Sequence, residues 1–292
     1  MRPPCIYRKQ GKYKLALEDY NEAIHRNPNH SRAYYNRAFV LERLGKFHEA
    51  ISDYTAALAY EPDNAIALHN RGVLYERVGD AEAALGDYTA AVRSDPKCAV
   101  SYHARAVIRA GRGDGEGAST DFDLAVSLDP ANAGYTKSRA MFFKEQGRFD
   151  LVVRDCTLAL AVKPDEVSCM SNRAYANRKL GRHATAIEDY TGAIALQPKN
   201  VGFYNNRAYC LAHCERFEEA IADYRFVLSA QPNNAHVYHN VGILLDKVGR
   251  RAEALDMFTK AADLDPSNAQ VVQMRGDLSR ALEVDAVRPA PA

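Results

Sequence analysis

Histidine and cysteine residues, the side chains that bind zinc, gather in the C-terminal part of the chain. His236 and His239 lie three residues apart, and Cys210, His213 and Cys214 precede them. A zinc site needs ligands that converge on one point, but the two cysteines are four residues apart on a predicted helix. We interpret these side chains as ordinary surface and core residues, and the sequence predicts no metal site and no cofactor.

A second candidate for chemistry is the segment GRGDGEG at residues 111–117, which superficially resembles a phosphate-binding loop. Such a loop follows a strand and continues into Gly-Lys and then Ser or Thr, and neither feature is present here. No Ser/His/Asp arrangement and no pair of carboxylates stands out elsewhere in the sequence. We therefore expect a protein that is not an enzyme and has no catalytic residues.

The composition is that of an ordinary folded protein and limits its partners. The 292 residues include 38 Lys and Arg against 37 Asp and Glu, a formal net charge of +1. This charge is too small to hold a polyanion, so no nucleic-acid partner is expected. No apolar run reaches the roughly 18 residues that cross a bilayer, and the first residues lack the apolar stretch of a secretory signal. We expect a soluble cytoplasmic protein whose six cysteines, without a CxxC pair, are reduced.

The chain repeats itself every 34 residues, and this period decides the fold. Proline marks each step, at Pro28, Pro62, Pro96, Pro130, Pro164, Pro198, Pro232 and Pro266. Glycine keeps the same step from Gly11 to Gly249 and is replaced once, by Glu215. A small residue, usually Ala, and an aromatic residue four positions later follow in phase. Apolar residues recur at helical spacing on both sides of the glycine, which predicts two helices per repeat.

The unit YYNRAFVLERLGKFHEAISDYTAALAYEPDN, at residues 34–64, resembles a tetratricopeptide repeat. The resemblance covers about residues 5 to 285, about eight tandem repeats. It implies an all-α fold, a right-handed α-solenoid of antiparallel helix pairs with a C-terminal capping helix and a concave inner surface. In repeat 31–64 the helices are predicted at about 31–44 and 48–60. Asparagines placed to cap the next first helix are Asn64, Asn132, Asn200, Asn234 and Asn268.

The whole chain is predicted to form one solenoid domain. Partial repeat 1 at 5–30 precedes repeats 2 to 8 at 31–64, 65–98, 99–132, 133–166, 167–200, 201–234 and 235–268, and a capping helix at 269–285 and a tail at 286–292 follow. Val272, Leu278 and Leu282 are expected to pack the capping helix onto repeat 8. The second helix of repeat 1, at about 14–25, is expected to expose apolar surface that either continues a longer array or contacts a partner.

Charged residues recur at two positions of the 34-residue repeat, and when the repeats are aligned they form two columns. The first helices carry Arg37, Arg71, Arg105, Arg139, Arg173 and Arg207, and the second helices carry Asp53, Asp87, Asp121, Asp155, Asp189 and Asp223. In repeat 8 both change together, to Val241 and Met257. Removing one member of a partly buried pair leaves an uncompensated charge, whereas replacing both can be neutral. We therefore predict an Arg–Asp ion pair within each of the six repeats rather than a basic stripe that binds an acidic ligand.

In the resembling family, ligands usually lie in the concave groove lined by the first helices. Carried over by column, the resemblance implies partner-binding residues at Tyr35, Asn36, Phe39, His69, Asn70, His103, Lys137, Met141, Asn172, Tyr175, Asn205, Asn206, Tyr209, His239 and Asn240. Asn amides can bond the main chain of an extended peptide. An equally open interpretation is that the Asn residues join successive repeats and that the apolar residues are partly covered core.

Members of that family that bind heat-shock chaperones hold the partner's terminal carboxylate with Lys, Asn and Arg from successive repeats. The first Asn of this clamp would have to stand in the column that reads Phe39, Val73, Val107, Met141, Tyr175, Tyr209 and Ile243. It is absent there, as are the required Lys and Arg of the third repeat. The sequence therefore disfavours chaperone binding through this clamp.

Together these observations predict a non-enzymatic protein–protein interaction scaffold, a subunit of a larger assembly. It would bind proteins or extended peptide segments through the concave groove and the N-terminal face. The NRA and DYTAA motifs resemble those of ciliary and flagellar proteins among others, which adds a ciliary, cytoskeletal complex as an expectation. Two alternatives stay open: a transient adaptor for extended peptides, and a regulatory arm of a larger enzyme.

Overall fold

The structure, a computed structural model, describes residue 7 and residues 10–287. Within this part the chain forms sixteen α-helices and no strand. The helices are α1 (Tyr13–Arg26), α2 (Ser31–Arg43), α3 (Phe47–Tyr60), α4 (Ala65–Arg77), α5 (Ala81–Ser94), α6 (Ala99–Gly111), α7 (Gly115–Leu128), α8 (Ala133–Glu145), α9 (Phe149–Val162), α10 (Val167–Lys179), α11 (His183–Leu196), α12 (Val201–His213), α13 (Phe217–Ala230), α14 (Ala235–Lys247), α15 (Arg251–Leu264) and α16 (Ala269–Val287). The predicted all-α fold of tandem helix pairs is confirmed.

Each repeat consists of two antiparallel helices joined by a short turn. In repeat 2, the Ser31 hydroxyl at the start of α2 donates to the Ala57 carbonyl near the end of α3, at 3.3 Å. Further along α2, the rings of Tyr35 and Tyr54 lie 5.6 Å apart. The residue numbers of the contact partners decrease along α3 as they increase along α2, so the two helices are antiparallel. The bounds of α2 and α3 differ from the predicted bounds by one residue.

The turn between the two helices requires a left-handed backbone at one position. The turn glycines have φ between 70° and 86° in seven repeats, and Glu215 adopts φ 58° in the remaining one. A residue with a Cβ pays about 1–2 kcal/mol for this conformation, which explains why glycine recurs at the 34-residue step. At Glu215, which has a Cβ, this conformation lowers the stability of the fold.

Asparagine side chains cap the first helices as predicted. Asn64 accepts from the Ala67 amide at 3.0 Å, and Asn234 accepts from the Val237 amide at 3.2 Å. The remaining three predicted caps, Asn132, Asn200 and Asn268, each accept from an amide two or three residues ahead. Each cap satisfies an amide that the helix itself leaves unpaired.

The arginine column forms the predicted ion pairs in five repeats. In repeat 2, Nε and Nη2 of Arg37 each lie 2.7 Å from an oxygen of Asp53. The same two-bond geometry joins Arg71 to Asp87, Arg105 to Asp121, Arg173 to Asp189 and Arg207 to Asp223. These hydrogen bonds raise the pKa of Arg37 above its usual value and keep the guanidinium charged. The sixth pair, Arg139 with Asp155, stays a prediction.

Each arginine also reaches back to the preceding repeat, a contact that the sequence analysis missed. Nη1 of Arg71 donates to Thr55 at 2.9 Å, and Nη1 of Arg37 donates to Asn21 at 2.8 Å. The other members of this third column are Thr89, Asp123, Thr157 and Thr191. One guanidinium therefore joins three helices: its own, the second helix of its own repeat, and the second helix of the repeat before.

All three columns change together at the junction of repeats 7 and 8. Val241 and Met257 of repeat 8 stand where the pair would be, and Arg225 of repeat 7 stands in the threonine column. Val241 is fully buried and belongs to the apolar core. Arg225 instead forms an ion pair with Glu253 at 3.1 Å, and both side chains are about half exposed. The polar network is thus replaced by apolar packing and an outer ion pair.

The described chain divides into two compact units, Met1–Arg139 (unit 1) and Ala140–Ala292 (unit 2). In unit 1, the core includes Tyr54, Leu68 and Leu74. In unit 2, one core cluster runs from Ala174 to Leu278. The organisation of the whole chain as a single domain stays a prediction.

The capping helix α16 packs as predicted except at one position. Leu278 is buried in the core of unit 2, and Leu282 packs against it. The prediction for Val272 is wrong, because this side chain is 37% exposed while Val271 is buried. One residue along a helix turns the side chain by about 100°, so the neighbouring valine faces the core. At the start of partial repeat 1, predicted from residue 5, residues 5, 6, 8 and 9 lie outside the described part of the chain.

Candidate functional site

The predicted partner-binding residues all lie on first helices, namely α2, α4, α6, α8, α10, α12 and α14. Met141 and Tyr209 are exposed, and the other thirteen are half-buried. None is fully buried, so each presents some surface. Exposure alone does not show which of these residues bind a partner. The contacts of each group distinguish the residues that support the fold from the others.

The histidines of this set pack on core aromatic rings. His69 contacts the ring of Tyr88 (centroids 5.3 Å apart), and His103 contacts Phe122 (5.9 Å). His239 lies 6.0 Å from Phe258 in the same way. Burial lowers the pKa of all three imidazoles below the ordinary value of 6.5, because it disfavours the charged form. These histidines therefore act mainly as neutral packing residues.

The asparagines divide between the two interpretations that the sequence left open. Asn70 donates to the Tyr35 hydroxyl of the preceding repeat at 3.3 Å. Asn172 accepts from Lys144 of the preceding repeat at 2.8 Å. Asn36 and Asn206 instead donate to a carbonyl of their own helix, at 2.8 and 2.9 Å. The column thus joins repeats at some positions and leaves the amide on the surface at others.

Tyr175 and Tyr209 belong to a cluster of aromatic and basic side chains in unit 2. The Arg178 guanidinium carbon lies 5.2 Å from the centre of the Tyr175 ring and 4.9 Å from that of Tyr209. Nζ of Lys144 lies 5.0 Å from the Tyr175 ring, and Nζ of Lys179 lies 5.7 Å from it. We call these five residues the basic aromatic cluster. Cations over aromatic faces gain about 0.5–1 kcal/mol each at exposed sites.

The basic members of this cluster escaped the sequence analysis, although a signal was present. Lys144 and Arg178 stand in a column that holds Glu42 and Glu76 in unit 1. That column lies three residues, almost one turn, after the tyrosine column and therefore on the same helix face. A change of charge sign along one column would have identified these positions without a structure.

The acidic residues of this column in unit 1 have partners of their own. Glu42 lies 3.9 Å from Arg77, and Glu76 accepts from the Tyr88 hydroxyl. Burial, together with this hydrogen bond, raises the pKa of Tyr88 well above its usual value. The two acidic residues of this column in unit 1 are therefore partnered, whereas the column in unit 2 is basic on α8 and α10 and acidic on α14, at Asp246.

A pocket of about 410 Å³ adjoins the cluster in unit 2. It lies between α12, α13 and α14, and its lining includes Tyr209, Ala212, Phe217, Asn240, Ile243 and Lys247. The pocket surface is mostly apolar, a composition typical of binding pockets, and its polar lining residues are His213, Glu215, His236, Asn240 and Lys247. Tyr209 lines this pocket and also contacts Arg178, so the pocket and the basic aromatic cluster form one continuous surface.

Three aromatic side chains pack ring against ring beside this surface. Tyr209 and His213 lie 4.2 Å apart, and His213 lies 4.6 Å from His183. Burial, with His213 and Arg178 nearby, lowers the pKa of His183.

Within residue 7 and residues 10–287, no three His, Cys, Asp or Glu side chains gather as a metal-binding group. Nor is any helix there long and apolar enough to cross a membrane.

Family models connect the chain with a known repeat. Models described as tetratricopeptide repeat or TPR repeat match residues 6–45, 40–99, 70–135 and 201–267. A model described as bacterial transcriptional activator domain matches residues 154–231, a span with the same 34-residue pattern. Among curated proteins, none matches the chain in sequence.

Solved structures share the fold at low sequence identity. The C-terminal part of a TPR repeat-containing protein from Cytophaga hutchinsonii is 15% identical, with a TM-score of 0.66, covering 82% of this chain and 98% of that one. YrrB, described as a TPR protein with an unusual peptide-binding site, is 18% identical, with a TM-score of 0.57 over 68% of this chain and 99% of its own. A tetratricopeptide repeat protein from Parabacteroides merdae is 20% identical, with a TM-score of 0.55 over 86% and 98%.

Proposed function

Because the chain belongs to the tetratricopeptide-repeat family, whose architecture is suited to protein–protein interaction, we propose that it is a non-enzymatic scaffold whose first helices bind extended segments of other proteins. The observation that carries this proposal is the continuous surface of unit 2, where exposed Tyr209 joins the 410 Å³ pocket to the basic aromatic cluster. Aromatic residues with a polar edge are frequent among the side chains that dominate binding energy.

The amide groups beside this surface support an extended ligand. Asn206 uses one amide hydrogen on its own helix, which leaves its oxygen able to accept from a ligand amide. Asn240 borders the pocket and donates to the Tyr224 hydroxyl at 3.4 Å. Contacts of this kind recognise main chain rather than side chains. YrrB, described as having a peptide-binding site, provides a precedent on the same fold.

Peptide display against the purified protein tests the proposal. A library of random peptides of about twelve residues should yield binders, and Tyr209→Ala should weaken them about tenfold, as expected for a central aromatic contact. Phe226→Ala is the matched control, because Phe226 is an equally exposed aromatic of unit 2 on a second helix, α13. Binders that ignore Tyr209→Ala, or respond equally to both changes, would contradict the proposal.

The proposal includes membership of a stable assembly, and a transient adaptor is the alternative. Native mass in a gentle extract of the source cells separates them, because a free adaptor migrates as a single chain and an assembly subunit migrates in a salt-resistant particle. The use of the N-terminal face, an association with cilia or flagella, and a regulatory arm of an enzyme stay predictions from the sequence.

A further inference from the structure

The basic side chains of the cluster lack carboxylate partners. Among the residues that the structure describes, no carboxylate pairs with Lys144, Arg178 or Lys179, and Lys144 bonds only the amide oxygen of Asn172. Several cations elsewhere in unit 2 have carboxylate partners: Arg182 with Asp150 at 2.8 Å, Arg216 with Glu219 at 2.7 Å and Arg250 with Glu253 at 2.7 Å. This surface differs because three cations without carboxylate partners gather around the same aromatic rings.

Arg178 is held in a geometry that suits a carboxylate. Its guanidinium lies beside the rings of Tyr175 and Tyr209, and a guanidinium next to aromatic rings still has N–H groups that can bind a carboxylate. Its Nε is buried and its side chain also interacts with Tyr190, so a ligand carboxylate is expected at the terminal nitrogens rather than at Nε. Because the side chain is already ordered, a ligand loses little entropy in pairing with it.

The acidic residues near this surface are fewer than the basic ones. Glu145 follows Lys144 at the end of α8, and Glu215 lines the pocket; both are exposed. The cations are Lys144, Arg178, Lys179 and, at the pocket, Lys247, whose Nζ lies 5.3 Å from the Phe217 ring. The surface therefore has an excess of positive charge at one end and an apolar pocket at the other.

From this arrangement we propose that the ligand of unit 2 is an acidic peptide segment of another protein. Its carboxylates bind Lys144, Arg178 and Lys179, and an apolar side chain enters the pocket beside Tyr209. Neighbouring helices lie about 8–10 Å apart, and an extended chain advances about 3.3 Å per residue. The acidic and apolar residues of the ligand are therefore separated by roughly three to six positions. This inference rests on the proposed function and specifies the chemistry of the partner.

A peptide rather than a nucleic acid fits the surface for two reasons. The chain as a whole has a net charge of only +1, whereas nucleic-acid binding depends on charge spread along a phosphate backbone. The apolar pocket and the amides of Asn206 and Asn240 match a peptide side chain and main chain instead.

Fluorescence anisotropy with labelled synthetic peptides tests the proposal on the full chain. The probe contains three Glu, four Ser and two Leu in that order, and a second probe has the reverse order because the direction of the ligand is not fixed. A matched probe carries Gln in place of Glu. We expect the better Glu probe to bind about tenfold more tightly than its Gln form, as two exposed ion pairs of about 0.7 kcal/mol each would give.

Charge-reversal variants test whether the peptide binds at the basic aromatic cluster. The variant K144E/K179E should abolish the preference for Glu over Gln, and Tyr209→Ala should weaken both probes. K199E is the control, because Lys199 is an exposed lysine in the turn before α12, outside the cluster. Circular dichroism melting of each variant shows that the fold is kept.

Four outcomes would overturn the proposal. Equal binding of the Glu and Gln probes would exclude an acidic ligand while leaving a peptide-binding scaffold intact. Equal weakening by K199E and by K144E/K179E would show that overall charge acts, not this surface. Tighter binding of a twelve-nucleotide oligo-dT than of the Glu probe would favour a nucleic acid. No binding of any probe would exclude this acidic and apolar combination, and the display experiment would then decide the broader function separately.

Discussion

Arg173 and Asp189 are joined by two parallel hydrogen bonds, Nε to Oδ2 at 2.9 Å and Nη2 to Oδ1 at 2.6 Å. The third nitrogen of the same guanidinium donates to Thr157 of the preceding repeat at 3.1 Å. Asp189 is buried, and the Arg173 side chain is 25% exposed. The pair therefore connects α10, α11 and α9 through one charged group.

Arg173→Ala should lower the free energy of unfolding by about 2–3 kcal/mol, because it leaves the Asp189 carboxylate buried and unpaired. We expect less than the full cost for a fully buried pair, since Arg173 is partly solvated. Urea unfolding provides the measurement. Arg182→Ala is the control, since Arg182 pairs with Asp150 on the exposed surface and should cost less than about 1 kcal/mol. Equal losses in the two variants would refute the structural role.

Replacing both Arg173 and Asp189 should lower the free energy of unfolding less than replacing one of them. Repeat 8 carries Val241 and Met257 at the two positions, so the double variant Arg173→Val and Asp189→Met copies a natural solution. A double-mutant cycle measured by urea unfolding should give a coupling energy of about 1–3 kcal/mol between the two sites. Additive losses would mean that the two residues act independently.

Glu215→Gly should stabilise the fold by about 0.5–1 kcal/mol. The positive φ of Glu215 strains a residue with a Cβ, and glycine relieves that strain, although its greater freedom in the unfolded chain offsets part of the gain. Thermal and urea unfolding measure the change. Glu218→Gly makes the same exchange in the first turn of α13 and should destabilise, because glycine is unfavourable in a helix. A loss of stability on Glu215→Gly would contradict the argument.

Gly242→Ala should destabilise by about 1–3 kcal/mol through overpacking. An added Cβ at Gly242 would lie 2.7 Å from Cε1 of Phe258, whose ring is buried and cannot move freely. Gly276, one 34-residue step later, has nothing within 4 Å of the added atom. There the same change should stabilise α16 by up to about 1 kcal/mol. Urea unfolding of the two variants should give opposite signs, and equal signs would contradict the packing analysis.

Stability should fall as the pH is lowered from about 7.5 to 5.5, partly through His103. The imidazole lies against Phe122 and Tyr135, and burial lowers its pKa in the folded state. Since the unfolded chain takes up the proton first, near pH 6.5, folding loses free energy from that pH down through the folded pKa.

The measurement is the difference in unfolding free energy between the two pH values. His103→Gln removes this titration and should make the difference smaller, by up to about 1 kcal/mol. His48→Gln, at an exposed position of α3, is the control and should reduce the difference less than His103→Gln does. A pH dependence unaffected by His103→Gln would show that other groups account for it.

Periodicity alone predicted most of the architecture. The glycine and proline columns located every turn, because left-handed backbone and helix termination each demand a specific residue type. The joint change to Val241 and Met257 predicted the ion pairs, since charges must be lost together. The threonine column was missed because the sequence offers no second change that would reveal the contact of a neutral hydroxyl, although the exchange to Arg225 in repeat 7 marks this column.

The candidate surface was harder to predict than the fold. Tyr175 and Tyr209 were found by column, but Arg178 contacts both rings across two repeats, and such contacts depend on how successive helices are offset. The capping helix shows the same limit: Val271 and Val272 are equally apolar, and only the rotation of α16 decides which one is buried.

The second helices of repeats 2, 3, 4 and 6 each carry two arginine partners two residues apart, as with Asp53 for its own repeat and Thr55 for the next one. A duplicated 34-residue segment therefore brings a complete set of partners with it, and a deleted segment removes one. The length of such an array can drift by whole units during evolution without stranding a buried charge. The exchanges at Val241 and Met257 in repeat 8, together with Arg225 in repeat 7, allow repeat 8 to follow such a series without an arginine in this column.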